Sequence, residues 1–256
     1  RGPAPGSRES ALMRADKPVK NVNAVVLTGG SAFGLATADG VMRYLAEQGV
    51  GHITPVRPIP IVPAAVVYDL FLGNGERLPT AEMGYSAAQA ATENNDAQGN
   101  IGAGAGVTVG KWAGFQHAMK SGFGVAGYEE DGLVVMATAV TNAVGDVVNA
   151  DGTMLAGARL GDGWQVERDP FRRSPQAPPT QISNTTLVVV GTNATLDKVE
   201  AHRLAQRVHD GFAIAIRPVH TTHDGDTAFA LATGQIEAGF DIVANIAVEM
   251  VAEAIR

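Results

Sequence analysis

Short apolar runs set between glycine turns and helical stretches confine this chain to a layered α/β architecture. Ala24 to Leu27 reads as a buried strand, Gly29-Gly30 as a turn, and about Ser31 to Gln48 as a helix. Leu35, Val41 and Leu45 give that helix its apolar face, and Gly49 suits its C-terminal cap. "IPIVPAAVVYDL", interrupted by Pro60 and Pro63, reads as a sheet edge, and residues Ala81 to Glu93 as helical. A β-hairpin turning near Glu130-Asp131-Gly132 follows, with another short strand after it. The final third is again mixed: a strand over Thr185 to Val190, then a helix from about Thr195, its candidate N-cap, to Asp210, with Gly211 as the stop. A short strand over Phe212 to Ile216, a strand over Ala228 to Ala232 and a closing helix from about Phe240 to Ile255 complete it. Strands clustered between helices predict sheets covered by helices. With 31 glycines and only 5% aromatic residues, the core must be built from small and β-branched side chains.

The 256 residues suffice for one large domain or two small ones, and 45% apolar with 18% charged residues is ordinary for a soluble globular protein. A net charge of -7 argues against a nucleic-acid surface or an anionic membrane. There is no cysteine, which removes disulfides, thiol catalysis and thiolate metal sites. No apolar run approaches the roughly 20 residues of a membrane span. The opening "RGPAPGSRES" lacks the apolar region of a signal peptide. Together these features lead us to expect a cytoplasmic protein.

Three motifs come close to known catalytic patterns. "GAGAGVTVGKW" approaches the phosphate loop GxxxxGK[ST], but Ala105 and Trp112 stand where Gly and Ser or Thr are required. "GGSAFG" approaches the nucleophile elbow, yet Phe33 occupies the second glycine position, so Ser31 reads as a helix N-cap or, failing that, a serine nucleophile. His220, His223, Asp224 and Asp226 form either a metal-binding cluster or a polar loop knit by its own hydrogen bonds.

Thr185 offers a fourth chemistry. Residues Gly161 to Gln181 carry four prolines and read as a surface linker; Asn184-Thr185-Thr186 then opens the apolar run Leu187 to Val190. A threonine hydroxyl is a poor nucleophile unless a base is held beside it. A threonine at the start of its chain has one in its own α-amino group, with a pKa of about 7.7–8.0. An internal threonine reaches that state only when the bond before it is cut, and a loop on one side with a strand on the other suits such a cut. Asn184 tolerates unusual backbone conformations. The alternative is that two β-branched residues simply open a strand.

The segments "VLTGGSAFGLATADGVMRYL", "IPIVPAAVVYDL", "GAGAGVTVGK", "TNAVGDVV", "NTTLVVVGTNA" and "HDGDT" occur in this order. The series resembles the self-processing peptidase family that includes L-aminopeptidase/D-Ala-esterase, the β-aminopeptidases and the 6-aminohexanoate-oligomer (nylon oligomer) hydrolases. The resemblance covers nearly the whole chain. It implies an αββα sandwich of the N-terminal-nucleophile type and a single hydrolase domain over 1–256. It also implies autocleavage into a large part (1–184, shorter at its start than the family's chains) and a small part (185–256) that stay together, and a homotetramer. Carried over residue by residue, Thr185 matches the nucleophile and Asn184 the residue whose carbonyl it attacks. Lys111 matches a catalytic lysine, and Asn142 an oxyanion-stabilising asparagine. Asp224 and Asp226 match acids that position or tune the new α-amino group, and Tyr68 matches a residue lining the substrate site. Asn-Thr at the cleavage position looks more like the nylon-oligomer branch than the aminopeptidases, which carry serine there. Such a reaction needs no metal or organic cofactor, and its substrates are small peptides or amide oligomers. The rivals are a serine- or metal-dependent hydrolase using Ser31 or His220 and His223, and an inactive family member serving as a binding module.

Overall fold

A computed structural model describes residues 1–93, 95–167 and 184–256. Its strands, in chain order, are β1 (Gly6–Arg8), β2 (Val26–Thr28), β3 (Ala64–Val66), β4 (Thr108–Val109), β5 (Met119–Lys120), β6 (Phe123–Glu130), β7 (Leu133–Asn142) and β8 (Asp146–Val148). They continue with β9 (Met154–Ala156), β10 (Arg159–Leu160), β11 (Gly163–Trp164), β12 (Thr185–Ala194), β13 (Ile216–Arg217) and β14 (Thr227–Ile236). The α-helices are α1 (Thr37–Glu47), α2 (Ala81–Ala90), α3 (Lys198–Arg207), α4 (His209–Ala215) and α5 (Phe240–Ile255).

Two sheets stack face to face. The larger has the order β14-β12-β7-β6, and the smaller β1-β3-β2. Within the larger, β12 runs antiparallel to β7 and parallel to β14, so the strand that opens at Thr185 is central. Its all-apolar run fits that place, because a strand covered on both faces has no reason to alternate. Leu187 and Val140 face Ala65, Val67, Val107 and Phe229 in the space between the sheets. Val188 and Val190, pointing the other way, join Ala137, Ala139, Phe212, Val243 and Val251 beneath the helices. There α5 lies across β6 and β7, α4 packs on α5, and α3 on β14. On the far side, Val41 of α1 meets Val62 and Ala64, and α2 packs on α1. The layers therefore run helix, sheet, sheet, helix, as the αββα expectation has it.

Local chemistry explains most boundaries. The β6–β7 hairpin turns on Asp131-Gly132 with φ of 51° and 80°, the positive pair that matches strand twist in a two-residue turn. Six expectations need correction. The segment with Pro60 and Pro63 is not a sheet edge: β3 is the middle strand of its sheet, because both prolines precede its paired residues and no ladder donor is lost. Ser31 caps no helix; it begins a 3₁₀ segment (Ser31–Ala36) with φ 53° and makes no capping bond through its side chain. The N-cap of α3 is Asp197, not Thr195, with a complete capping box to Glu200. Gly211 does not stop that helix but lies inside α4, and Phe212 to Ala215 continues as helix rather than strand. The reason is close packing: a β-carbon at Gly211 would lie 2.5 Å from the Val248 carbonyl oxygen of α5, and Phe212 is fully buried beside it. Of the linker read over 161–181, residues 163–164 pair as β11 and 165–167 form a 3₁₀ turn, while 168–183 lie outside the described residues. Among the described residues, no helix is long and apolar enough to cross a membrane.

Candidate active site

The ends of β7 and β12 define the site. Thr185 is paired with Asn142, and Leu187 with Val140, so Thr185 and Asn142 point to the same side as that apolar pair, between the two sheets. Thr185 is 5% exposed and Asn142 1%. The Asn142 amide is oriented by its partners. Its Oδ1 accepts from Lys111 Nζ at 2.7 Å and from the Thr108 N–H at 3.1 Å, which leaves Nδ2 to donate, and it reaches the Tyr68 carbonyl at 2.8 Å. That last bond ties the end of the larger sheet to the chain leaving β3.

Lys111 is brought here by its neighbours. Gly110 and Trp112 bond through their N–H groups to the carbonyls of Gly145 and Val144, and the Trp112 indole donates to Asp146. Lys111 also donates to the Asn142 carbonyl at 3.0 Å. Burial of the ammonium pulls its pKa down from 10.5 to about 7, against the opposing pull of Asp224 and Asp226. Near neutral pH this lysine is thus a usable base.

On the other side of Thr185 lies the 224–226 segment. Asn184 bridges to Asp224, and the Gly225 N–H donates to the Asn184 carbonyl at 2.9 Å. The same carbonyl accepts the Thr185 hydroxyl at 2.5 Å. A β-carbon on Gly225 would stand 2.7 Å from Thr185 Oγ1 and 2.5 Å from the Ala4 carbonyl oxygen, so only glycine fits. Asp224, 1% exposed, accepts from the Thr221 N–H (2.8 Å) and hydroxyl (2.6 Å), and burial followed by Asp226 raises its pKa. Asp226 accepts the Thr186 N–H at 2.7 Å through Oδ1 and faces His220 Nδ1 at 2.7 Å through Oδ2.

Thr185, Asn184, Asn142, Lys111, Asp224 and Asp226, distant in sequence, therefore come together, with the main chain of Tyr68. The Tyr68 ring meets Phe71, 5.2 Å between centroids, and Phe71 meets Phe115 at 5.4 Å, a half-exposed aromatic row. Ser31 lies at the end of β2 with its N–H on the Val67 carbonyl, and no hydrogen bond among the described residues joins its hydroxyl to a base. His220 belongs to the cluster, whereas His223 offers it only main-chain contact, its carbonyl accepting from Asn184. Among the described residues no group of three or more His, Asp or Glu side chains converges as a metal site requires. Sequence reasoning missed Gly225 and the role of Thr186, whose signals are a lone glycine in a polar loop and a second threonine. Both depend on a parallel bridge that periodicity does not encode.

The whole chain, residues 1–256, matches peptidase family S58. An uncharacterized aminopeptidase of Mycobacterium leprae is 42% identical over 258 residues, covering 93% of this chain and 67% of that protein. A 6-aminohexanoate-oligomer endohydrolase of Paenarthrobacter ureafaciens is 32% identical over 224 residues, covering 84% of this chain and 61% of that protein. The chain thus spans about two thirds of the length of these relatives. Among solved structures, the L-aminopeptidase D-Ala-esterase/amidase of Ochrobactrum anthropi, a variant of the Ntn hydrolase fold, superposes with a TM-score of 0.62 at 19% identity. That superposition covers 87% of this chain and 61% of that one. On fold and sequence together, the chain belongs to peptidase family S58 and is an amide hydrolase.

Proposed function

We propose that this hydrolase matures by cutting its own Asn184–Thr185 bond and then uses Thr185 as an N-terminal nucleophile on small peptides or amino-acid-amide oligomers. One observation carries the reading: the Asn184 carbonyl lies between the Thr185 hydroxyl and the Gly225 N–H, with Asn142 across the ladder. In self-cleavage, Thr185 Oγ1 attacks the Asn184 carbonyl carbon and its proton passes to neutral Lys111. The Gly225 N–H stabilises the oxyanion. Collapse breaks the C–N bond, the Thr185 nitrogen takes up a proton, and an ester joins Asn184 to Oγ1. Water hydrolyses that ester, releasing the Asn184 carboxylate and a free Thr185 amine.

In turnover the same oxygen attacks the substrate carbonyl while the α-amine receives the proton. The Asn142 amide faces the growing negative charge, and the proton returns to the departing amine. Water then cleaves the acyl ester. Asp226, bound to the adjacent Thr186 N–H, sets the geometry of that terminus, and Lys111 with Asp224 sets its local charge. The half-exposed row of Tyr68, Phe71 and Phe115 suits an apolar portion of the substrate.

The test is the intact mass of the purified protein under denaturing conditions, beside Thr185→Ala. Two pieces, one ending at Asn184 and one beginning at Thr185, with an uncut and inactive Thr185→Ala, are expected. An uncut parent that turns over substrate at full rate would remove Thr185 from the mechanism.

A further inference from the structure

The reaction just described leaves His220 unused, although it is placed with care. Its backbone has φ of 52°, a left-handed conformation that few residues with a β-carbon adopt and histidine adopts more readily than most. Its Nδ1 lies 2.7 Å from Oδ2 of Asp226, a carboxylate 2% exposed. The other oxygen of that carboxylate accepts the Thr186 N–H, and Thr186 is fully buried. A buried carboxylate oxygen needs a donor, so the proton sits on Nδ1. In a neutral ring the remaining Nε2 is then a lone pair, and that atom is buried without a hydrogen-bond partner among the described residues. A buried polar atom left unpaired costs stability, which suggests that the contact at Nδ1 brings a compensating benefit.

Two rings line the imidazole. His209 lies 4.8 Å away, edge to face, and Phe212 5.5 Å away, both projecting from α4. Burial holds His209 neutral down to about 3. The ring of His220 has little room to turn, and the carboxylate it holds has none without giving up either Thr186 or the imidazole.

We propose that His220 is a positioning residue for Thr185: it donates Nδ1–H to Asp226, which clamps the Thr186 amide and fixes the first peptide of β12, on which the Thr185 hydroxyl and nitrogen are carried. This inference rests on the nucleophile reading above. It assigns His220 neither a metal nor a proton-transfer step. A misplacement of about 1 Å at a reacting group can cost roughly 10²-fold in rate, which sets the scale of the effect.

The test compares His220→Gly and His220→Asn in the full chain, using a chromogenic amide that the parent hydrolyses. Both variants accept positive φ, but only asparagine can place an N–H donor where Nδ1 stands. We expect kcat in His220→Gly to fall by at least about tenfold with KM unchanged, self-cleavage to slow in parallel, and His220→Asn to recover to within about twofold of the parent. If His220→Gly does not fold, His220→Ala, the smallest donorless side chain with a β-carbon at this φ, takes its place. A folded donorless variant with parental kcat, a change in KM alone, or equal loss in His220→Asn overturns the proposal. Thr185→Ala, assayed alongside, separates the two readings. If it stays active, the nucleophile assignment fails; if it is inert while His220→Gly is unimpaired, only the positioning role fails.

Discussion

Thr185 and Asn142 stand directly opposite one another across the antiparallel ladder of β12 and β7, at the point where it ends. Opposed residues on such a pair hold their β-carbons about 4.5–5.5 Å apart on the same face of the sheet. A hydroxyl attacking a carbonyl from one side of that gap leaves the carbonyl oxygen close to the amide on the other. The hairpin that makes β7 thus supplies both the support of β12 and the polar group facing its first residue.

Asn142→Ala should lower kcat by about 10²–10³, the usual cost of losing one oxyanion donor. Asn142→Asp keeps an acceptor for Lys111 and the Thr108 N–H but removes the donor. It should therefore be equally slow, and less stable than the parent because its second oxygen would face the Tyr68 carbonyl. Steady-state kcat and KM for both variants check this; a rate near the parent's in either removes Asn142 from the oxyanion role.

Lys111, pulled to about 7 by burial, should impose a rise in self-cleavage rate with pH through that value. The stability effect has a definite sign. Between about 7 and 10.5 the unfolded chain binds a proton that the folded one does not, so stability rises with pH across that window and the cost of burying the cation is greatest below it. Lys111→Met should therefore melt higher than the parent at pH 6, with the difference shrinking toward pH 10, while its self-cleavage fails. Melting curves at the two pH values decide; a constant difference would mean that burial does not lower the pKa of the amine.

His209 should make the protein acid-sensitive. Burial drops its pKa from 6.5 to about 3, so from pH 6.5 downward the unfolded state takes up a proton that the folded state refuses. His209→Phe, which keeps the stack on Phe212 at 4.7 Å, should flatten the fall in unfolding midpoint between pH 6.5 and 4. An unchanged slope would assign acid sensitivity to the carboxylates alone.

Gly225→Ala forces a β-carbon to within 2.7 Å of the Thr185 hydroxyl. Overpacking of this kind costs about 1–3 kcal/mol of stability. The larger expected effect is kinetic: the uncut chain should accumulate while the protein stays folded. Denaturant unfolding beside the fraction of uncut chain over time measures both, and parental self-cleavage would show that this contact is not tight.

Much of this was legible before any coordinates. The apolar run at Leu187–Val190, the Asp131-Gly132 turn and the closing helix are local signals, and each stands where periodicity and turn chemistry put it. The family resemblance carried by the joint motifs implied one site for Thr185, Asn142, Lys111, Asp224 and Asp226. Reasoning failed where tertiary contact overrides local preference. Gly211 reads as a helix stop, but its missing β-carbon serves the contact of α4 with α5. Pro60 and Pro63 mark an edge only if they fall within the paired residues, and they do not. The polar-loop reading of His220, His223, Asp224 and Asp226 covers the contact of His220 with Asp226, but not the onward tie to Thr186, because a loop's side-chain geometry has no period to read.

The place of β12 has a consequence for the order of events in the protein's life. It lies between β7, which precedes the proposed cut, and β14, which follows it. The two products would share the large sheet, β6 and β7 from one and β12 and β14 from the other: neither holds it complete, and parting them at the β7–β12 ladder would leave each with a raw edge. Maturation would then work as a ratchet. The chain must thread β12 into its slot while still continuous, and once the bond is gone, parting the pieces amounts to unravelling the core.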